Sequence, residues 1–275
     1  MSEALPRLPP QDALPAMAPP RRLRAALGGF FLDLLIAVVV LMVMSVVAYA
    51  IWGVVRAAKE VAAGVDPKDT HALMQAIGAP GGLALIWVTL LGTGSAALVP
   101  YLWRRRATPA ERMRGRAALM RPATWGWVAL TALAVFAVSA GVTTVGKLLG
   151  IAPEPTNQEP IKHALAASPW FVSVFVVMIA PMYEELLFRR VLFGRLWAAG
   201  RPWLGMWLSG VAFALMHEPP GLTGNPWSST LLLWVAYTFM GVAFAWVYRR
   251  TGTLWAPIFA HALNNALALL LLGGT

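Results

Sequence analysis

Residues 34–48 read Leu-Leu-Ile-Ala-Val-Val-Val-Leu-Met-Val-Met-Ser-Val-Val-Ala, fifteen positions without a charge. They form the centre of an apolar run from about Ala26 to Val55, broken only by Asp33. A helix rises 1.5 Å per residue, so about 20 residues cross ~30 Å of hydrocarbon. This run is long enough. Ala48-Tyr49-Ala50 has the small-x-small pattern of a signal cleavage site, but a signal's apolar region is only ~7–15 residues long. An uncleaved first membrane helix is therefore expected.

Six further runs of comparable character follow: Leu83–Trp103, Trp125–Gly146, Pro169–Ala199, Pro202–His217, Trp227–Tyr248 and Leu254–Leu272. Of these, Pro202–His217 is short. The chain is thus expected to be an all-α polytopic membrane bundle of about seven spanning helices. Residues 1–25 read as a disordered basic cytoplasmic tail, 26–164 as N-terminal helices and loops, and 165–275 as a separate core. Between the spans, Thr70–Ile77 suits a short interfacial helix and Arg104–Thr124 is basic and helix-prone. Gly150–Ser168, with Pro153, Pro155 and Pro160, reads as an extended loop.

Composition agrees. Hydrophobic residues make up 59% of the 275, and only 12% are charged, about half the ~25% of a soluble domain. A soluble globule, a disordered chain and a disulfide scaffold are excluded. Without cysteine there is no thiol nucleophile and no thiolate metal site. The formal net charge of +10 would suggest nucleic acid in a soluble protein. With the N-terminus inside, however, 17 of the 22 basic residues fall in inner segments; only Arg56, Lys59, Lys68, Lys147 and Lys162 fall outside. This bias sets an orientation with N inside and C outside, and accounts for the charge without nucleic acid.

Ionisable groups at membrane depth mark function by default. After residue 168 the acids are Glu184, Glu185 and Glu218, and the histidines are His217 and His261. Glu185 and Arg189 stand four apart and share a helix face, so they can pair. Glu184 is left without a local partner, which suits a general base. The competing reading is an interfacial charge cluster at a helix end. Phe213 and His217 are four apart, as are His261 and Asn265. Interhelical hydrogen bonding explains the latter pair, and Asn264, equally well. His217-Glu218-Pro219-Pro220-Gly221 begins like HExxH but has Gly in place of the second His, and its prolines break the required helix.

A serine-type site finds only the weak string Gly92-Thr93-Gly94-Ser95, and an aspartyl type only Asp33, more simply a topological anchor. What is left is Glu184-Glu185-x-x-x-Arg189, then Phe213-x-x-x-His217, then His261-x-x-x-Asn265, on successive helices. This ordered set resembles the CPBP family, the CAAX-protease and bacteriocin-processing membrane proteins, over about residues 165–272. The resemblance implies an intramembrane endopeptidase. Glu184 would activate the attacking water, His217 would help hold it, His261 and Asn265 would form an oxyanion hole, and Glu185 with Arg189 would shape the site.

The family is often labelled metalloprotease, and two imidazoles with a carboxylate could bind Zn. That would make Glu184 a ligand, whereas the metal-free mechanism uses each residue once and is preferred. The implied partners are the lipid bilayer and a membrane-associated peptide or protein substrate. An Arg-rich, Ala-rich composition points to a bacterial plasma membrane. A non-catalytic immunity or scaffold protein using the same polar cluster is the alternative, and a transporter lacks the expected inverted repeat.

One tension is built in. Glu184 lies ~22 Å along its helix from Pro169, on the outer side, and His217 ~22 Å from Pro202, on the inner side. Alternating topology therefore puts the first near the inner face and the second nearer the outer, unless tilt or a fifth helix that starts deep in the cytoplasm closes the gap.

Overall fold

The computed structural model describes residues 20–151 and 153–272. The expected tail lies outside the described residues up to position 19. Residues 20–25 instead form the first turns of α1 (Pro20–Ala62). After it come α2 (Thr70–Ile77), α3 (Gly82–Arg104), α4 (Pro109–Leu119), α5 (Pro122–Leu148) and α6 (Gln158–Ala167). Four more complete the chain: α7 (Pro169–Ala198), α8 (Pro202–His217), α9 (Trp227–Thr251) and α10 (Trp255–Leu272). No strand occurs among the described residues.

The protein is an integral membrane helical bundle. Five helices, α1, α3, α5, α7 and α9, are long and apolar enough to span. The short α8 and α10 complete the set of apolar runs. α1 packs along α3, α8 along α9, and α5 against both α9 and α10. Val39, Met42, Val46, Val54, Leu133, Trp203 and Val235 are exposed, an apolar surface suited to contact with lipid. Where α8 and α9 cross, a Cβ on Gly241 of α9 would stand 2.6 Å from Gly210 Cα of α8.

Two connections differ in kind. α4 forms as its composition suggests, with Pro109 in its first turn and a Thr108–Glu111 capping box. The Gly150–Ser168 segment is not all extended, because its second half is α6. Pro160 falls in the first turn of that helix, where its missing N–H has no helical acceptor anyway. A Glu159–Lys162 pair at 2.8 Å spans the same turn.

α7 is irregular where it matters. π-helical turns at Phe175–Ile179 and Leu186–Phe193 flank a short α-helical piece, Ala180–Glu185. π turns of this kind concentrate at functional sites. Pro181 accounts for part of it. Ala180 N–H bonds Phe175 O in the i+5 pattern. The next bond in that pattern would run from residue 181 to Val176 O, and proline has no N–H to give. Val176 O is therefore an orphan of the helix.

Candidate active site

The depth conflict between Glu184 and His217 does not arise. α7 and α8 form a helical hairpin that turns at Ala199–Arg201. Glu184 stands 15 residues before Ala199 and His217 stands 16 after Arg201, so both lie ~23 Å from the turn. Measuring each residue from the start of its own helix set the two at opposite ends. In the antiparallel hairpin they face each other. Phe188 and Phe213 meet edge-on at 5.1 Å between ring centroids one turn closer to the hairpin.

Glu184 Oε2 lies 3.8 Å from His217 Nε2 and 3.8 Å from His261 Nε2. Those distances are beyond a direct hydrogen bond and suit a bridging water. His217 Nδ1 donates to Phe213 O at 2.9 Å, so in the neutral ring Nε2 is an acceptor. A carboxylate and an imine nitrogen both accept, and a water can donate one hydrogen to each. That leaves its lone pairs free.

Glu185 is fully buried between two partners. His261 Nδ1 donates to its Oε1 at 3.0 Å, and Arg189 Nε stands 2.8 Å from its Oε2. The Arg189 contact is an ion pair without hydrogen-bond alignment, and none of the three guanidinium nitrogens has a hydrogen-bond partner. Aromatic faces surround the cation instead: Phe213 at 4.8 Å, Phe244 at 5.4 Å and Phe188 at 5.7 Å.

Asn265 also has a packing role. Its Nδ2 donates to Val176 O at 2.9 Å, supplying the bond that Pro181 cannot. Its Oδ1 accepts from Asn264 at 3.4 Å. One amide hydrogen is thus committed to holding α10 on α7. Glu184, Glu185, Arg189, His217 and His261 converge, and Asn265 sits one turn beyond His261.

Several contributors carry no motif. The Tyr237 ring lies tilted at 4.6 Å from His217, and Phe244 stacks at 4.8 Å from His261. They stand seven apart on α9, so one stripe of that helix carries a platform for each imidazole. That spacing is readable in the sequence, but its neighbours are not. Glu218 is fully buried and accepts from Thr156 N at 2.8 Å and Thr156 Oγ1 at 2.5 Å. Asn225 bonds Glu154 nearby. Together they fasten the strap before α6 to the loop after α8, beside His217.

A zinc ion would impose its own spacing on such a donor set. Two ligands at ~2.1 Å on a tetrahedral ion stand about 3.4 Å apart, whereas Glu184 is 3.8 Å from each imidazole nitrogen. Among the described residues no three His, Cys, Asp or Glu side chains are grouped closely enough to hold a metal ion. As placed, these side chains are set wider than a tetrahedral zinc would hold them.

At the far end of the bundle Asp33 is fully buried between Arg104 of α3 and Arg195 of α7. Glu111 of α4 is gripped by Arg190 at 2.8 Å and 3.0 Å. Those hydrogen bonds hold its carboxyl at about 2, well below its ordinary 4.5.

Residues 166–267 match the family model "Type II CAAX prenyl endopeptidase Rce1-like". The chain is also 29% identical over 178 residues to "Putative membrane peptidase YdiL" of Bacillus subtilis, an alignment covering 64% of this chain and 68% of that protein. No solved structure matches.

Proposed function

We propose that this chain, whose residues 166–267 match the Rce1-like family model, is a membrane peptidase of the CPBP (CAAX-protease) type that uses glutamate-activated water. The carrying observation is the convergence of Glu184 Oε2, His217 Nε2 and His261 Nε2 at water-bridging separations. Glu184 and His217 hold a water, Glu184 takes its proton as the oxygen attacks a peptide carbonyl, and Glu184 then gives that proton to the departing amine as the C–N bond breaks. When His261 carries protons on both nitrogens, Nε2–H donates to the developing oxyanion while Glu185 keeps the ring oriented. Arg189 fixes Glu185. Asn265 has one amide hydrogen left for the same oxyanion. No step calls for a metal.

The residues of the site stem from the C-terminal half, so 165–275 is read as the catalytic core and the helices before it as its support. The gathering of Arg104, Arg190 and Arg195 with Asp33 and Glu111 at one end supports an orientation with that end, and the N-terminus, inside. The substrate is a membrane-associated peptide or protein.

The test compares membrane peptidomes of cells carrying the wild-type chain, Glu184→Gln and His261→Ala. Loss of a base costs about 10²–10⁴-fold in rate. Products seen with wild type should vanish in both variants, with each still folded in detergent. Undiminished product from either variant would sink the reading. The scaffold reading is favoured at one residue alone, Asn265, whose amide does serve helix packing.

A further inference from the structure

A cavity of about 1240 Å³ lies between α3, α4, α7, the end of α9 and the start of α10. That exceeds the ~300–1,000 Å³ of ordinary small-molecule pockets. None of Glu184, His217, His261 and Asn265 lines it. It lies along another face of α7, through Met182, Leu186 and Arg190, so it is not the proposed reaction space.

Its two ends differ. Leu90 and Leu98 of α3, Leu186 of α7 and Ile258 of α10 make an apolar trough. From Leu90 to Arg105 the cavity runs ~22 Å along α3, more than the ~15 Å depth of one leaflet. The other end carries Arg105, Arg112, Arg114, Arg116, Arg121 and Arg190 against one acid, Glu111. Glu111 is taken up by Arg190. Arg112, Arg114, Arg116 and Arg121 have no carboxylate partner among the described residues. Arg105 Nε is buried without a hydrogen-bond partner.

We propose that this cavity binds an anionic phospholipid, its acyl chains along the α3–α7 trough and its phosphate among the arginines of α4 and the α3–α4 turn. Length, apolar lining and a cationic end at interfacial depth are what such an amphiphile requires. A soluble anion would have no use for the trough, and a neutral lipid none for the arginines. The site is independent of the peptidase reading.

The full chain in phosphatidylcholine nanodiscs is titrated with phosphatidylglycerol bearing brominated chains, read by quenching of tryptophan fluorescence; Trp197 and Trp255 line the cavity. Saturable quenching is expected with brominated phosphatidylglycerol and not with brominated phosphatidylcholine. The exposed triple variant Arg112→Gln/Arg114→Gln/Arg116→Gln should weaken binding on the order of 100-fold, from ~1 kcal/mol per arginine near the surface. Leu98→Trp, which fills the trough, should abolish quenching while the triple variant and Leu98→Trp keep the wild-type thermal transition. Glu184→Gln should bind as wild type, so a failed peptidase assay leaves this result readable. Equal quenching by both lipids, full displacement by glycerol phosphate, displacement by a cleaved peptide, or unchanged binding in Leu98→Trp would each overturn the proposal.

Discussion

Pro181 and Asn265 form a testable couple. Because residue 181 has no N–H, Val176 O depends on Asn265 Nδ2 at 2.9 Å. Asn265→Ala should leave that carbonyl unpaired, at a cost of about 1–2 kcal/mol given the range for interhelical hydrogen bonds and orphaned groups. Pro181→Ala restores a backbone donor one i+5 step from Val176 O. In that background Asn265→Ala should cost under about 0.5 kcal/mol, a coupling of ~1 kcal/mol. Reversible unfolding in mixed detergent micelles, run on all four members of the cycle, measures it. Equal costs in both backgrounds, within the ~0.3–0.5 kcal/mol of simple additivity, would refute the orphan-carbonyl account. The same four proteins separate two roles for the amide. If Asn265 serves only packing, Pro181→Ala rescues cleavage in Asn265→Ala; if the second amide hydrogen serves the oxyanion, cleavage stays lost while stability returns.

Arg189→Met should destabilise by about 3–5 kcal/mol, because it strands the Glu185 carboxylate in the core. Adding Glu185→Leu should recover much of that stability in thermal unfolding, yet not cleavage, since His261 then has no acceptor for Nδ1. Gly241→Ala should cost about 1–3 kcal/mol, because its methyl meets backbone of α8 that cannot swing away; Gly224→Ala, with open space around it, should leave the melting midpoint unchanged. Glu111 has a folded pKa held below its unfolded value, so its contribution is complete above about 4.5 and is lost as pH falls from there through about 2. The side chain is partly exposed, so the effect should shrink in high salt, and Glu111→Gln should flatten the acid limb of the unfolding midpoint.

The spans were legible because apolar length is a one-dimensional property. Pro202–His217 could be bounded to the residue, since a proline starts the helix and two more end it. α6 was not, because three prolines within a few residues read as a loop unless one sees that Pro160 falls in a first turn. The chemistry of Glu184, His217 and His261 was legible because titratable residues are scarce in this half. Their mutual depth was not. It depends on α7 running 30 residues into a tight hairpin, and a count along single helices does not contain the pairing. Tyr237 and Phe244 remained invisible for a related reason. Aromatic residues are common in membrane helices, and only the neighbours of these two distinguish them; Glu218 stood out as an acid, but its partner Thr156 did not. Asn265 was recognised as polar and inward, but its carbonyl partner exists only because α7 winds as a π turn ahead of a proline.

The Glu185–Arg189 pair has a consequence for how the chain reaches the bilayer. Each charge alone at the centre of a helix raises the cost of insertion by ~2.5–3.5 kcal/mol. Here both partners lie four apart on one helix, so they can meet before any other helix is present. Pairing within α7 offsets part of that cost without help from another helix. In the folded bundle Phe244 and His261 close around the pair. The pair that steadies the finished site also lowers the cost of placing its helix in lipid.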